Sequence, residues 1–199
     1  MSGAMTTVVI IIVVVAAVVV IALALLPRMR SRKLRERFGP EYDRTLEQAD
    51  SRREAERELT ERQKRHSQLQ LRELSEDEKR RYTMQWAHVQ EQFIDDPARA
   101  LDNADRLLTL AMADRGYPTE SYDQQVADLS VEHARPLAEY RRAHEIAGRA
   151  GRGEVSTEDM RAAIVDYRHL FADLVGINGA EHSARTENTA RDRHATTEK

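Results

Sequence analysis

"SEDEKRRYTMQWAHVQEQFIDDPARALDNADRLLTLAMADRG", Ser75 to Gly116, holds two helix starts and one stop. Ser75 with Glu78 three residues on has the form of a capping box. The hydroxyl oxygen accepts from a free backbone N–H, and the carboxylate reaches back to the cap. Tyr82, Trp86, Val89 and Phe93 then recur at helical spacing. Asp96-Pro97 predicts a second start, with Asp as cap and Pro at the first helical position. Ala100, Ala104, Leu107, Leu108, Ala111 and Met112 form its apolar stripe, and Gly116 is the natural stop. Two helices in direct succession, each apolar on one side, predict a bundle.

The same grammar continues downstream. Tyr117-Pro118-Thr119 reads as a turn, and a short helix follows with Tyr122, Val126 and Leu129 inward. Another begins around Pro136, carrying Leu137, Tyr140, His144 and Ala147. "GRAGRG", Gly148 to Gly153, reads as a flexible link. Ser156 or Thr157 caps a last helix whose face is Met160, Ile164, Tyr167, Phe171 and Leu174, ending at Gly176. No run alternates with period two, so the fold class is all-α. The helical bundle is expected over 71–176, long enough to bury roughly 60–70% of its unfolded surface. Trp86 and Phe171 are expected in one core. Residues 177–199 are polar and patternless, and are expected to be disordered.

Upstream, Glu41 to Gln68 contains no Gly or Pro and is dense in charges four apart, such as Glu58 with Arg62 and Glu61 with Arg65. This predicts a charged helical stalk over 41–70. Its apolar stripe (Tyr42, Leu46, Ala49, Leu59) is thin and a sustained heptad is missing, so it is expected to pack one edge on the domain.

Val8 to Leu26 is an unbroken apolar run. As a helix it would span roughly 28 Å, against a hydrocarbon core of about 30 Å. A cleaved signal needs a basic start and a shorter run. Here Met1 to Thr7 carries no charged side chain, so a retained transmembrane helix over 8–26 is expected. Arg28, Arg30, Arg32, Lys33, Arg35 and Arg37 follow, with only Glu36 opposing. Basic flanks stay in the cytoplasm, which puts residues 1–7 outside and the rest inside a single-pass cell-membrane protein. This basic juxtamembrane segment, 27–40, sets topology. Its six cations also suit contact with anionic lipid headgroups.

The 199 residues hold 31 Lys+Arg against 34 Asp+Glu, a formal net charge of -3. With the basic run set apart, the remainder is more acidic still. It repels nucleic-acid phosphate, so no nucleic-acid partner is expected. The absence of cysteine excludes disulfides, thiolate chemistry and cysteine-bound metals.

"RSRKLRERFGPEYDR", "FIDDPARALDNADRLL", "RGYP" and "DLSVEHARPLAEYRRAHEIA" together resemble a family of uncharacterised bacterial single-pass membrane proteins with a basic juxtamembrane run and a cytoplasmic helical domain. The resemblance spans Arg30 to about Phe171. It implies the architecture and carries no catalytic residue.

Candidate chemistry is sparse. A phosphate cradle needs a strand leading into its glycine loop, whereas a helix leads into "GRAGRG". Asp166 and His169, like His88 and Glu91, are three apart, but a di-metal bundle needs further inward carboxylates, so both pairs read as solvated. His144 on an apolar stripe reads as a core or boundary histidine bonded to a neighbour. His133 reads as a local cap or turn bond. Tyr82, Trp86, Val89 and Phe93 fit either core or a partner surface, with core favoured in so small a domain. No catalytic, cofactor or metal site is assigned, and no cofactor is expected. The reading is a non-enzymatic, membrane-anchored interaction or scaffolding module with a protein partner. The alternative is an enzyme or a metal- or cofactor-binding bundle.

Overall fold

The computed structural model describes residues 29–177, and every described element is helical. The expected membrane helix, the N-terminus before it, Arg28 and the tail from 178 lie outside the described residues. No described helix is long and apolar enough to cross a membrane. The chain divides into two compact units, at Thr60 and Glu61.

In the first unit, helix α1 covers 29–38 and α2 covers Pro40–Gln48. Gly39 between them has φ +49, a positive-φ conformation that glycine adopts at little cost, and Pro40 restarts the helix at its first position. The expected continuous stalk is instead broken. Ala49 is extended, and α3 (Arg52–His66), whose last residues from Glu61 on belong to the second unit, starts afresh with Ser51 Oγ accepting from the Glu54 N–H at 3.3 Å.

The reason for the break is tertiary. Glu56 Oε1 accepts from Ser31 Oγ on α1, from Tyr42 OH on α2 at 2.8 Å and from Arg52 Nε at 3.0 Å. In one straight helix Ser31 and Tyr42 would stand about 16 Å apart. Sharing one oxygen forces the bend at Gly39 and folds α3 back, so that Arg30 reaches the Thr60 hydroxyl at 2.9 Å. Leu34, Phe38, Tyr42, Ala55 and Leu59 are buried inside this small cluster. Of the expected stalk stripe, Tyr42 and Leu59 are buried, while Leu46 and Ala49 are only half-buried.

The second unit is the bundle. Its helices are α4 (Glu76–Asp95), α5 (Pro97–Arg115), α6 (Tyr122–Glu132), α7 (Ala134–Ala150) and α8 (Thr157–Val175). Both bonds of the Ser75–Glu78 capping box are formed. Asp96 ends α4 and caps α5 through the Arg99 N–H, so the two helices meet with no loop between them. Gly116 (φ +93) stops α5. A Cβ there would lie 2.6 Å from the Gln70 carbonyl oxygen, so the position needs glycine for space as well as for conformation. Ser156 caps α8 and Gly176 ends it. The glycine link is shorter than expected, because α7 runs through Gly148 to Ala150.

Helix α8 packs on both α5 and α7, and α4 closes over α5. Leu101, Ala104, Leu108, Ala111 and Met112 of α5 are wholly buried among Leu137, Tyr140, Tyr167, Leu170 and Phe171. Trp86 and Phe171 stack with ring centroids 4.7 Å apart, in one core as expected.

Candidate interaction surfaces

The aromatic stripe of α4 faces inward. Tyr82, Trp86 and Val89 are buried, and Phe93 packs half-buried against the same core. Tyr82 OH donates to Asp114 at 2.7 Å. Burial, and then that carboxylate, push the Tyr82 phenol up to about 12. The Trp86 indole N–H is buried with no hydrogen-bond partner among the described residues. Its ring is therefore held by stacking and packing alone.

The open surface lies beside that stripe. A groove of about 480 Å³ runs between α4 and α5. Val89 and Leu107 form its floor, and Met84 and Leu110, 66% and 57% exposed, form its apolar lips. Arg81, His88 and Arg106 edge it together with amide side chains, and no acidic residue lines it. Arg81 and Arg106 pair with Asp114 and Asp102 outside the groove, at 3.4 and 2.8 Å. Exposed pairs of this kind are weak, so both cations stay available to an incoming carboxylate. Met84 and Leu110 were not singled out in the sequence. The signal for them is simple: each is a large apolar residue off the core stripe of its own helix.

Three polar clusters lie elsewhere in the bundle. Asp105 accepts from Tyr167 OH and pairs with His144 Nδ1, both at 3.0 Å, and the His144 ring stacks on Tyr122 with centroids 4.0 Å apart. This is the boundary histidine bonded to a neighbour, and α5 supplies the neighbour. Burial, followed by Asp105, raises the phenols of Tyr140 and Tyr167.

His133 departs from expectation. It forms no cap bond with its side chain. The ring instead reaches α8, with Nδ1 2.7 Å from Asp173, while Nε2 lies 3.3 Å from both the Arg115 guanidinium and Tyr117 OH. A guanidinium only donates, so Nε2 accepts and the ring proton on Nδ1 goes to Asp173. Arg115 also donates to the Leu174 carbonyl. His133 thus ties the α6–α7 joint to the end of α8, through partners far away in sequence.

Asp166 also departs from expectation. It is buried, not solvated, and the Arg142 guanidinium takes both of its oxygens, at 2.6 and 2.7 Å. His169 Nδ1 pairs with Glu139 at 2.6 Å. Glu139, Asp166 and His169 place three potential ligand atoms within 4.8 Å of one another. Both carboxylates already have cationic or hydrogen-bonding partners, which is the arrangement of an ion-pair lattice joining α7 to α8. His88 and Glu91, each 78% exposed and 3.8 Å apart, are solvated as expected.

Arg30, Arg32, Lys33, Arg35 and Arg37 are all exposed on α1. None of these clusters combines a nucleophile, a base and a cavity. Among the described residues, the α4–α5 groove is an open, largely apolar surface. No family model, curated protein or solved structure matches the chain.

Proposed function

We propose that this is a membrane-anchored interaction module. The run Val8 to Leu26 is its single span, the short N-terminus lies outside, and the bundle lies in the cytoplasm. The α4–α5 groove receives the apolar face of a partner helix that carries acidic side chains on its flanks. The architecture of the family the sequence resembles agrees with this arrangement.

The observation that carries the reading is the groove. Its floor and lips are apolar and its edges hold two arginines and a histidine with no acid, on a chain with 34 Asp+Glu against 31 Lys+Arg. A helix laid along two neighbouring helices buries its apolar side in such a groove, and charge at the edge selects the partner. A flexible methionine on the lip suits adaptable packing.

Photocrosslinking of the full chain in its native membrane tests this. A photoreactive residue placed at Met84 or Leu110 is expected to give one dominant adduct, with the crosslinked peptide an acidic amphipathic helix. Glu158, exposed on α8, serves as the control position. Charge reversal at Arg81 and Arg106 is expected to remove the adduct. Adducts no stronger than at the control position would overturn the reading, as would adducts only to another copy of this chain.

A further inference from the structure

The fold treats the exposed cations of α1 unequally. Arg32 pairs with Glu36 at 2.8 Å, and Arg35 pairs with Asp43 at 2.7 Å. Arg30, Lys33 and Arg37 follow the spacing i, i+3, i+7 and so share one face of the helix. Arg30 donates to the neutral Thr60 hydroxyl, which leaves its charge uncompensated. Lys33 and Arg37 are exposed and have no acidic partner among the described residues. Burial of Leu34 and Phe38 fixes the rotation of the helix, so this stripe cannot turn inward.

We propose that the Arg30–Lys33–Arg37 stripe docks on the anionic headgroups of the bilayer that the preceding segment spans. Charge complementarity is one argument. Position along the chain is the other: the apolar run Val8 to Leu26 ends four residues before Arg30. On the proposed topology the stripe therefore begins at headgroup depth. Setting topology needs only a sufficient number of positive charges. Neutralising two cations and aligning three unneutralised ones on a fixed face goes further, and forms a surface for a sheet of negative charge.

The inference rests on the proposed membrane span, and its test separates the two. The full chain is placed in nanodiscs of phosphatidylcholine alone, or of phosphatidylcholine mixed with phosphatidylglycerol. Acetylation of Lys33 is followed by mass spectrometry relative to Lys79, which pairs with Glu76 on α4. Lys33 is expected to react about fivefold more slowly in the anionic discs, the effect of one basic residue held near such a surface. High salt should restore the rate. Arg30→Gln with Arg37→Gln should make it nearly independent of lipid. Equal rates in both discs, with the protein extracted only by detergent, would overturn the headgroup contact and leave the span standing. Release from native membranes by alkaline carbonate would overturn the span, and the headgroup contact with it. Protection by inorganic phosphate alone in neutral discs would identify a free-anion site and overturn the lipid assignment.

Discussion

Trp86 concentrates the energetics of the bundle in one side chain. It is buried, stacked on Phe171, and has no hydrogen bond from its indole N–H among the described residues. Truncating a buried Trp or Phe typically costs about 3–5 kcal/mol, against about 5–15 kcal/mol for a whole domain. Trp86→Ala or Phe171→Ala is therefore expected to lower the urea midpoint of the bundle severely or to unfold it, as followed by circular dichroism. An unchanged midpoint together with a lost crosslink would move the binding surface onto the stripe itself. That this stripe is core was readable from its period and its large side chains. The groove beside it was not, because a gap between two helices belongs to neither one alone. His133 was misread for a similar reason: its partner Asp173 lies on another helix, and no local pattern announces it.

Among the elements, the capped helices were the legible ones. Ser75 with Glu78, Asp96 with Pro97, Ser156 and Gly176 are local devices, and each acts where it is written. The fold-back of the first unit was illegible because its cause is nonlocal. The charge pairs spaced four apart support a straight helix, and the contest is settled by one carboxylate bonded to three elements. Burial pushes the Glu56 carboxyl up, but hydrogen bonds from Ser31, Arg52 and Tyr42 outweigh it, and the net shift is downward. A carboxyl lowered in the folded state contributes stability that is present above its unfolded value, about 4.3, and is lost as pH falls through the folded value. Amide exchange in α1 and α3 is therefore expected to quicken, relative to intrinsic rates, as pH drops below that range. Glu56→Gln should show the fast behaviour already at neutral pH. Protection in the variant equal to the parent at neutral pH would show that the apolar cluster alone holds the hairpin.

For the whole molecule, two compact units each have a buried core of their own. This predicts two separable transitions. The chain has a single tryptophan, and it sits in the bundle, so its fluorescence follows that unit. Tyr42→Ala removes a fully buried ring and the Glu56 hydrogen bond from the first unit. It is expected to lower the helical signal by circular dichroism while the tryptophan melting midpoint stays within a degree or two of the parent. A coincident shift of both signals would mean that the units unfold together.

The joint at Asp96 has a mechanical consequence. One residue closes α4 and opens α5, so the two helices meet without slack. An added residue there would swing the face of α5 by about 100°, one step of a helix with 3.6 residues per turn. Leu107 and Leu110 would leave the groove that Met84 and Val89 share with them, and the core would lose its register in the same movement. The segment between α7 and α8 is different, because its length is not shared between two caps. Extra length at 151–155 is absorbed as a longer loop. The molecule thus has one joint that tolerates no change of length and one that does, and tags or reporters belong in the second.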